Sequence, residues 1–96
     1  MYYRVSSNNI GVYQAFKKIA GQKKWHEVLK VSKWLPKPPS YKDGYRSYFT
    51  EKGFEKFSSS VLPVMKDLIE VSIEQFESIP GETIHTDKYQ IVKAQR

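Results

Sequence analysis

Two spacings alternate along this chain, and each predicts a different element. Tyr3 and Val5 alternate with polar neighbours, which predicts a strand over residues 1 to 6 with one face toward a core. Asn8 and Asn9 are residue types whose side-chain oxygens accept the free amides of a helix start. Val12, Phe16, Ile19 and Ala20 then fall on one helical stripe, and Gly21 stands where a helix C-cap is expected. Trp25, Val28, Leu29 and Ser32 continue the period over a second short helix from Gln22 to Ser32. The segment Trp34-Leu35-Pro36-Lys37-Pro38-Pro39-Ser40 predicts an extended loop, because its three prolines lack amide donors and restrict the residues before them. Lys42-Asp43-Gly44 predicts a turn, Tyr45 to Phe49 a strand, and Thr50 the cap of a helix. Phe54, Phe57, Val61, Val64, Met65 and Leu68 form one stripe, which Pro63 should bend or break at the cap cluster Ser58-Ser59-Ser60. Val71, Ile73 and Ile84 suggest strands around a turn at Ile79-Pro80-Gly81-Glu82, and Tyr89, Ile91 and Lys93 alternate as a last strand. No βαβ rhythm runs through this order. The predicted fold is α+β: a small, mostly antiparallel sheet from residues 1 to 6, 45 to 49 and the C-terminal strands, packed against helices over 10 to 32 and 51 to 69.

At 96 residues the chain has the size of a single compact domain, and its 40% hydrophobic content is enough for a core. It has no cysteine, so disulfide scaffolds, thiol catalysis and cysteine-ligated zinc are excluded. No apolar run approaches the roughly 18 residues of a membrane span, and the first residues lack a signal-peptide core, which points to a cytoplasmic protein without a membrane partner.

The formal charge of +6 is unevenly spread. Residues 17 to 46 carry nine Lys or Arg against Glu27 and Asp43, whereas residues 67 to 87 hold six acids and no Lys or Arg. In the basic segment Lys23, Lys24, Lys30, Lys33, Lys37 and Arg46 interleave with Trp25 and Trp34. Cations beside flat rings suit a phosphate backbone and its bases. The pattern therefore points to a non-enzymatic module that engages an anionic partner, nucleic acid ahead of protein, with a modulator or inhibitor of a protein partner as a further class. Catalytic signatures are lacking: the five glycines are scattered singly, and no Gly-x-Ser-x-Gly elbow surrounds the serine cluster. His26 and His85 stand far apart, without the neighbours of a metal site, and both are expected to face water. No cofactor, metal or catalytic residue is assigned from the residues alone.

Three resemblances add to this reading. The run Tyr-Arg-Val-Ser, Gly-Val-Tyr, Trp-Leu-Pro-Lys, Tyr-Phe-Thr-Glu-Lys-Gly and Asp-Lys-Tyr-Gln-Ile-Val resembles a loose set of small uncharacterised bacterial and phage proteins, which implies one intact domain and no particular activity. The segment from Tyr45 to Phe57 is similar to the Tyr-x-Leu-Thr-Glu-Lys-Gly stretch that leads from the wing into a helix in winged-helix regulators, although the preceding helices lack a recognition unit. The order of Tyr3, Arg4 and Ser6, then Tyr48, Phe49, Thr50 and Phe57, then Tyr89, Gln90, Ile91 and Val92 resembles ADP-ribosyltransferase-like folds. That last resemblance implies an NAD- or nucleotide-binding ADP-ribosyltransferase-like domain, active or degenerate, with a cleft lined by Arg4, Ser6, Tyr48, Thr50 and Gln90. Where the family places its catalytic glutamate, this chain offers Asp87, Lys88 and Gln90, so binding without turnover would be expected.

Overall fold

The computed structural model describes residues 1–37 and 44–94. The expected loop residues Pro38, Pro39 and Ser40, together with Tyr41 and the Lys42-Asp43 part of the turn, lie outside them. The chain forms β1 (Tyr2–Ser7), β2 (Ile10–Gly11), α1 (Val12–Ile19), α2 (Gln22–Val31), β3 (Tyr45–Phe49), α3 (Glu51–Ser60), α4 (Leu62–Met65), β4 (Ser72–Phe76), β5 (Glu82–Thr86) and β6 (Gln90–Ala94). All strand pairs are antiparallel, and the architecture is α+β as the periodicity predicts.

β1 is central. Tyr3 pairs with both Phe49 and Gln75, and Ser6 with both Gly11 and Ser72, so β4 runs along one edge of β1 while β2 and β3 share the other. Beyond β3 lie β6 and then β5. Residues directly opposite in a ladder point to the same face. Tyr3, Phe49 and Gln90 therefore share the face covered by the helices, whereas Arg4, Tyr48 and Ile91 share the other.

The helical face carries the main core. Val5 and Phe49 meet Val12 and Phe16 of α1, Val28 of α2, Phe57 of α3 and Met65 of α4, with Val61 and Ile69 beside them. Tyr3 stacks on Phe54 at 4.3 Å with nearly parallel rings. On the opposite face Tyr48, Ile79 and Ile91 form a second cluster, with Tyr2 and Phe76 packed against it. Ile79 belongs to the connection from β4 to β5, which joins the two outer strands by crossing this face. That connection, rather than a helix, seals the second layer.

Several local expectations change in three dimensions. Asn8 and Asn9 are the left-handed pair of the tight β1–β2 turn, with φ of 52° and 65°, and do not cap α1. A two-residue hairpin favours such a pair because its twist matches that of the strands. Gly21 is the N-cap of α2 rather than a left-handed C-cap, because Ala20 ends α1 in an extended conformation. The long stripe does divide, but at Val61 instead of the serines, and Pro63 occupies the first turn of α4, where no amide is required. Ile19, Leu29 and Leu68, which fall on the predicted apolar stripes, are exposed, and so is Ile73 of β4. In β6 it is Gln90 and Val92 that face the helices, while Ile91 turns to the second cluster.

Candidate functional site

The α2 lysines are set by helical phase. Val28 is fully buried and Trp25 and Val31 pack against the main core, which fixes the inner side of the helix. At 100° per residue Lys23, His26 and Lys30 then lie on the outer side, and all three are exposed. Lys33 and Lys37 lie beyond the end of α2, and both are exposed. From residue 17 to residue 37 seven lysines stand against Glu27 alone. Glu27 is itself 3.5 Å from Lys24, so Lys24 is partly neutralised and the outer row is not.

The tryptophans do not alternate with these lysines on one surface. Trp25 is half-buried against the core, with the Lys17 ammonium 5.5 Å from its ring centroid. Trp34 turns inward as well, where its indole donates to the Val31 carbonyl at 2.9 Å and to the Ser60 hydroxyl at 3.1 Å. Arg46 lies on the opposite face of the sheet from α2, directly across from Lys93. The predicted basic aromatic surface thus resolves into a lysine row on α2 and rings that serve the core.

A second basic feature arises at α3. Thr50 caps this helix by accepting from the Gly53 amide at 3.1 Å, while its hydroxyl donates to the Lys88 carbonyl at 2.8 Å. The Thr50 amide also donates to the Tyr89 carbonyl at 3.0 Å. These bonds clamp the β5–β6 turn onto the first turn of α3. Lys52, Glu55, Lys56 and Ser59 recur at helical spacing on one side of α3, and with Lys88 and Tyr89 they line a shallow concavity of about 330 Å³. The Lys56 ammonium lies 5.9 Å from the Trp34 ring centroid and 5.4 Å from that of Tyr89, and Lys88 is 5.6 Å from the Tyr89 ring. Ring quadrupoles hold cations without neutralising them as a carboxylate would. Among the described residues none of Lys52, Lys56 and Lys88 forms an ion pair. Sequence spacing could have found Lys52 and Lys56 on one helical side, but Lys88 is more than thirty positions away and reaches them only through the fold.

Beneath the turn lies a polar network. Asp87 accepts from the Tyr89 amide at 2.8 Å, from the Gln90 amide and side chain, each at 3.2 Å, and from His85 Nε2 at 2.6 Å. Gln90, 3% exposed, also donates to the Pro36 carbonyl at 2.6 Å and so ties the loop after Trp34 to β6. His85 is therefore half-buried and engaged, rather than facing water. Burial acts to raise the Asp87 pKa, but the bonds from Tyr89, His85 and Gln90 together outweigh it and leave the carboxyl below its ordinary value. A carboxylate whose folded pKa lies below its unfolded one stabilises the fold above the unfolded pKa, and that stabilisation is lost as pH falls through the folded value. Thermal unfolding followed between about pH 7 and pH 2 should show the parent losing stability below about pH 5, where the unfolded carboxylate begins to bind its proton, while Asp87→Asn starts roughly 1 to 3 kcal/mol weaker at neutral pH and declines less. Parallel profiles for the two proteins would show that the carboxylate contributes nothing through its charge.

The residues of the expected nucleotide cleft are dispersed. Arg4 lies on the face opposite Gln90, donates to the Asn9 carbonyl at 3.1 Å and stands 3.6 Å from Glu74. Tyr48 shares that face, buried edge-on against Phe76. Ser6 is buried within β1, and Thr50 is committed to capping and to the turn. The sheet itself separates Arg4 and Tyr48 from Gln90, so these five residues do not line one cleft. Among the described residues no group of His, Asp and Glu is arranged to hold a metal ion, and no helix is long and apolar enough to cross a membrane. No protein-family model matches the chain, and neither a curated protein nor a solved structure matches it.

Proposed function

We propose that this chain is a non-enzymatic binding module that engages nucleic acid through the phosphate backbone. The observation that supports the reading most directly is the outer row of α2, where Lys23 and Lys30 share one exposed side, Lys33 is exposed just beyond the helix end, and the helix's one acid, Glu27, is turned to Lys24. Ammonium groups at these separations can follow successive phosphates, and each contact releases condensed counterions. With Trp25 and Trp34 facing the core, backbone contact rather than base stacking carries the affinity on this side, and little sequence preference is expected.

The test is a fluorescence-anisotropy titration with a labelled single-stranded oligonucleotide over a range of salt. The parent should bind, and affinity should fall steeply as salt rises. Joint replacement of Lys23, Lys30 and Lys33 by Gln should lower the slope of log affinity against log salt by about two, while Lys24→Gln should change it less. An absence of binding at low salt, or a triple variant indistinguishable from the parent, overturns the reading.

A further inference from the structure

We infer that the concavity between α3 and the β5–β6 turn is an end-binding site for the terminal phosphate of a nucleic acid strand; this rests on the nucleic-acid reading above. Three ammonium groups, those of Lys52, Lys56 and Lys88, share its lining with one carboxylate, that of Glu55. A phosphomonoester carries a charge of about −1.5 to −2 near neutral pH, close to the opposite of this set, whereas an internal phosphodiester carries a single negative charge. Lys56 and Lys88 are already placed over the Tyr89 ring, and Lys56 over Trp34 too, so less side-chain freedom is lost on binding than with lysines that extend into water.

The neighbouring surface indicates why the site takes an end and not a strand passing through. Glu55 and Ser59 also line an adjoining concavity completed by Tyr3, Glu51, Phe54 and Ser58, which contains two carboxylates and no lysine. Glu51 is partly offset there by the amino terminus 3.7 Å away, but Glu55 has no ion-pair partner among the described residues. A strand continuing past the lysines in that direction would bring its next phosphate against these acids. A strand that stops at the lysines avoids them, and its body is free to run toward the exposed Lys33 and Lys37, which flank Trp34 in the chain.

The experiment compares one single-stranded decanucleotide in three forms, with a 5′-phosphate, with a 3′-phosphate and with hydroxyls at both ends, each carrying an internal fluorophore. One phosphorylated form should bind the parent about tenfold more tightly than the hydroxyl form, the scale of one charge-assisted hydrogen bond, and the form that does so identifies the end. Lys56→Gln and Lys88→Gln should each erase most of this preference while leaving affinity for the hydroxyl form within about twofold, and Lys56→Arg, which keeps the charge, should retain part of it. All these positions are exposed, and unchanged thermal unfolding of the variants would confirm that the fold survives. Equal binding of the three forms by the parent overturns the end site alone, because the α2 row would still account for the affinity. Failure of every form to bind overturns both readings.

Discussion

Replacement of Phe57 by alanine is expected to cost about 3 to 5 kcal/mol, the range for truncating a buried aromatic ring. Phe57 is 0% exposed and stands where the sheet meets the helices. Its ring lies 5.1 Å from that of Phe49 on β3 and meets Tyr13 of α1 edge-on at 6.1 Å. Those neighbours are themselves anchored, Tyr13 by a 2.8 Å hydrogen bond to Ser32 at the end of α2 and Phe49 by its place in β3 between β1 and β6. The surroundings therefore cannot collapse fully into the vacated space, and the cavity adds to the lost transfer free energy. Since small domains of this size are stable by only about 5 to 15 kcal/mol, urea denaturation should show the midpoint shifted far down or the variant largely unfolded. A loss below about 1 kcal/mol would mean that the ring is not enclosed.

Gly53→Ala is the second substitution with a large expected effect, and its origin is contact rather than cavity. A Cβ at this position would lie 1.8 Å from the Tyr89 carbonyl oxygen and 2.8 Å from its carbon. Both are backbone atoms, and the same carbonyl accepts the Thr50 amide, so it cannot retreat without breaking the bond that holds the turn to α3. The expected cost is about 3 kcal/mol, at the upper end for an added methyl in a packed site. Helix propensity alone would favour alanine here by about 1 kcal/mol, so the sign of the result separates the two effects. Gly21→Ala serves as the control: nothing lies within 4 Å of its Cβ position and its φ is −68°, so the change should stay within about 1 kcal/mol. Stabilisation by Gly53→Ala in a thermal melt would show that α3 and the turn do not approach as closely as described. Because Lys88 and Tyr89 belong to that turn, the same variant should also weaken discrimination between phosphorylated and hydroxyl ends.

Some of the site was legible from the chain and some was not, for identifiable reasons. The exposure of Lys23 and Lys30 followed from helical phase, which Trp25 and Val28 state locally. The direction of Trp34 did not, because the partners of its indole include Ser60, twenty-six residues onward. His85 offered no signal of engagement, since its partner Asp87 is oriented by amides of the turn that follows. Gln90 was singled out by position in a resemblance, yet its environment is set by the Pro36 carbonyl and the Asp87 carboxylate.

The alternation in β1 and β3, the stripes of α1, α2 and α3, and the Thr50 cap are local consequences of side-chain type, and from them the sequence by itself determined the α+β class and the order of most elements. Which residues share a face was decided only by strand register: pairing Phe49 with both Tyr3 and Gln90 places Arg4 and Tyr48 on the far side of the sheet. A one-residue slip would reverse that assignment, and register depends on contacts between distant segments rather than on local composition. The meeting of Lys52 and Lys56 with Lys88 and Tyr89 has the same origin. It requires the β5–β6 turn to rest on the first turn of α3, an approach allowed because residue 53 has no side chain.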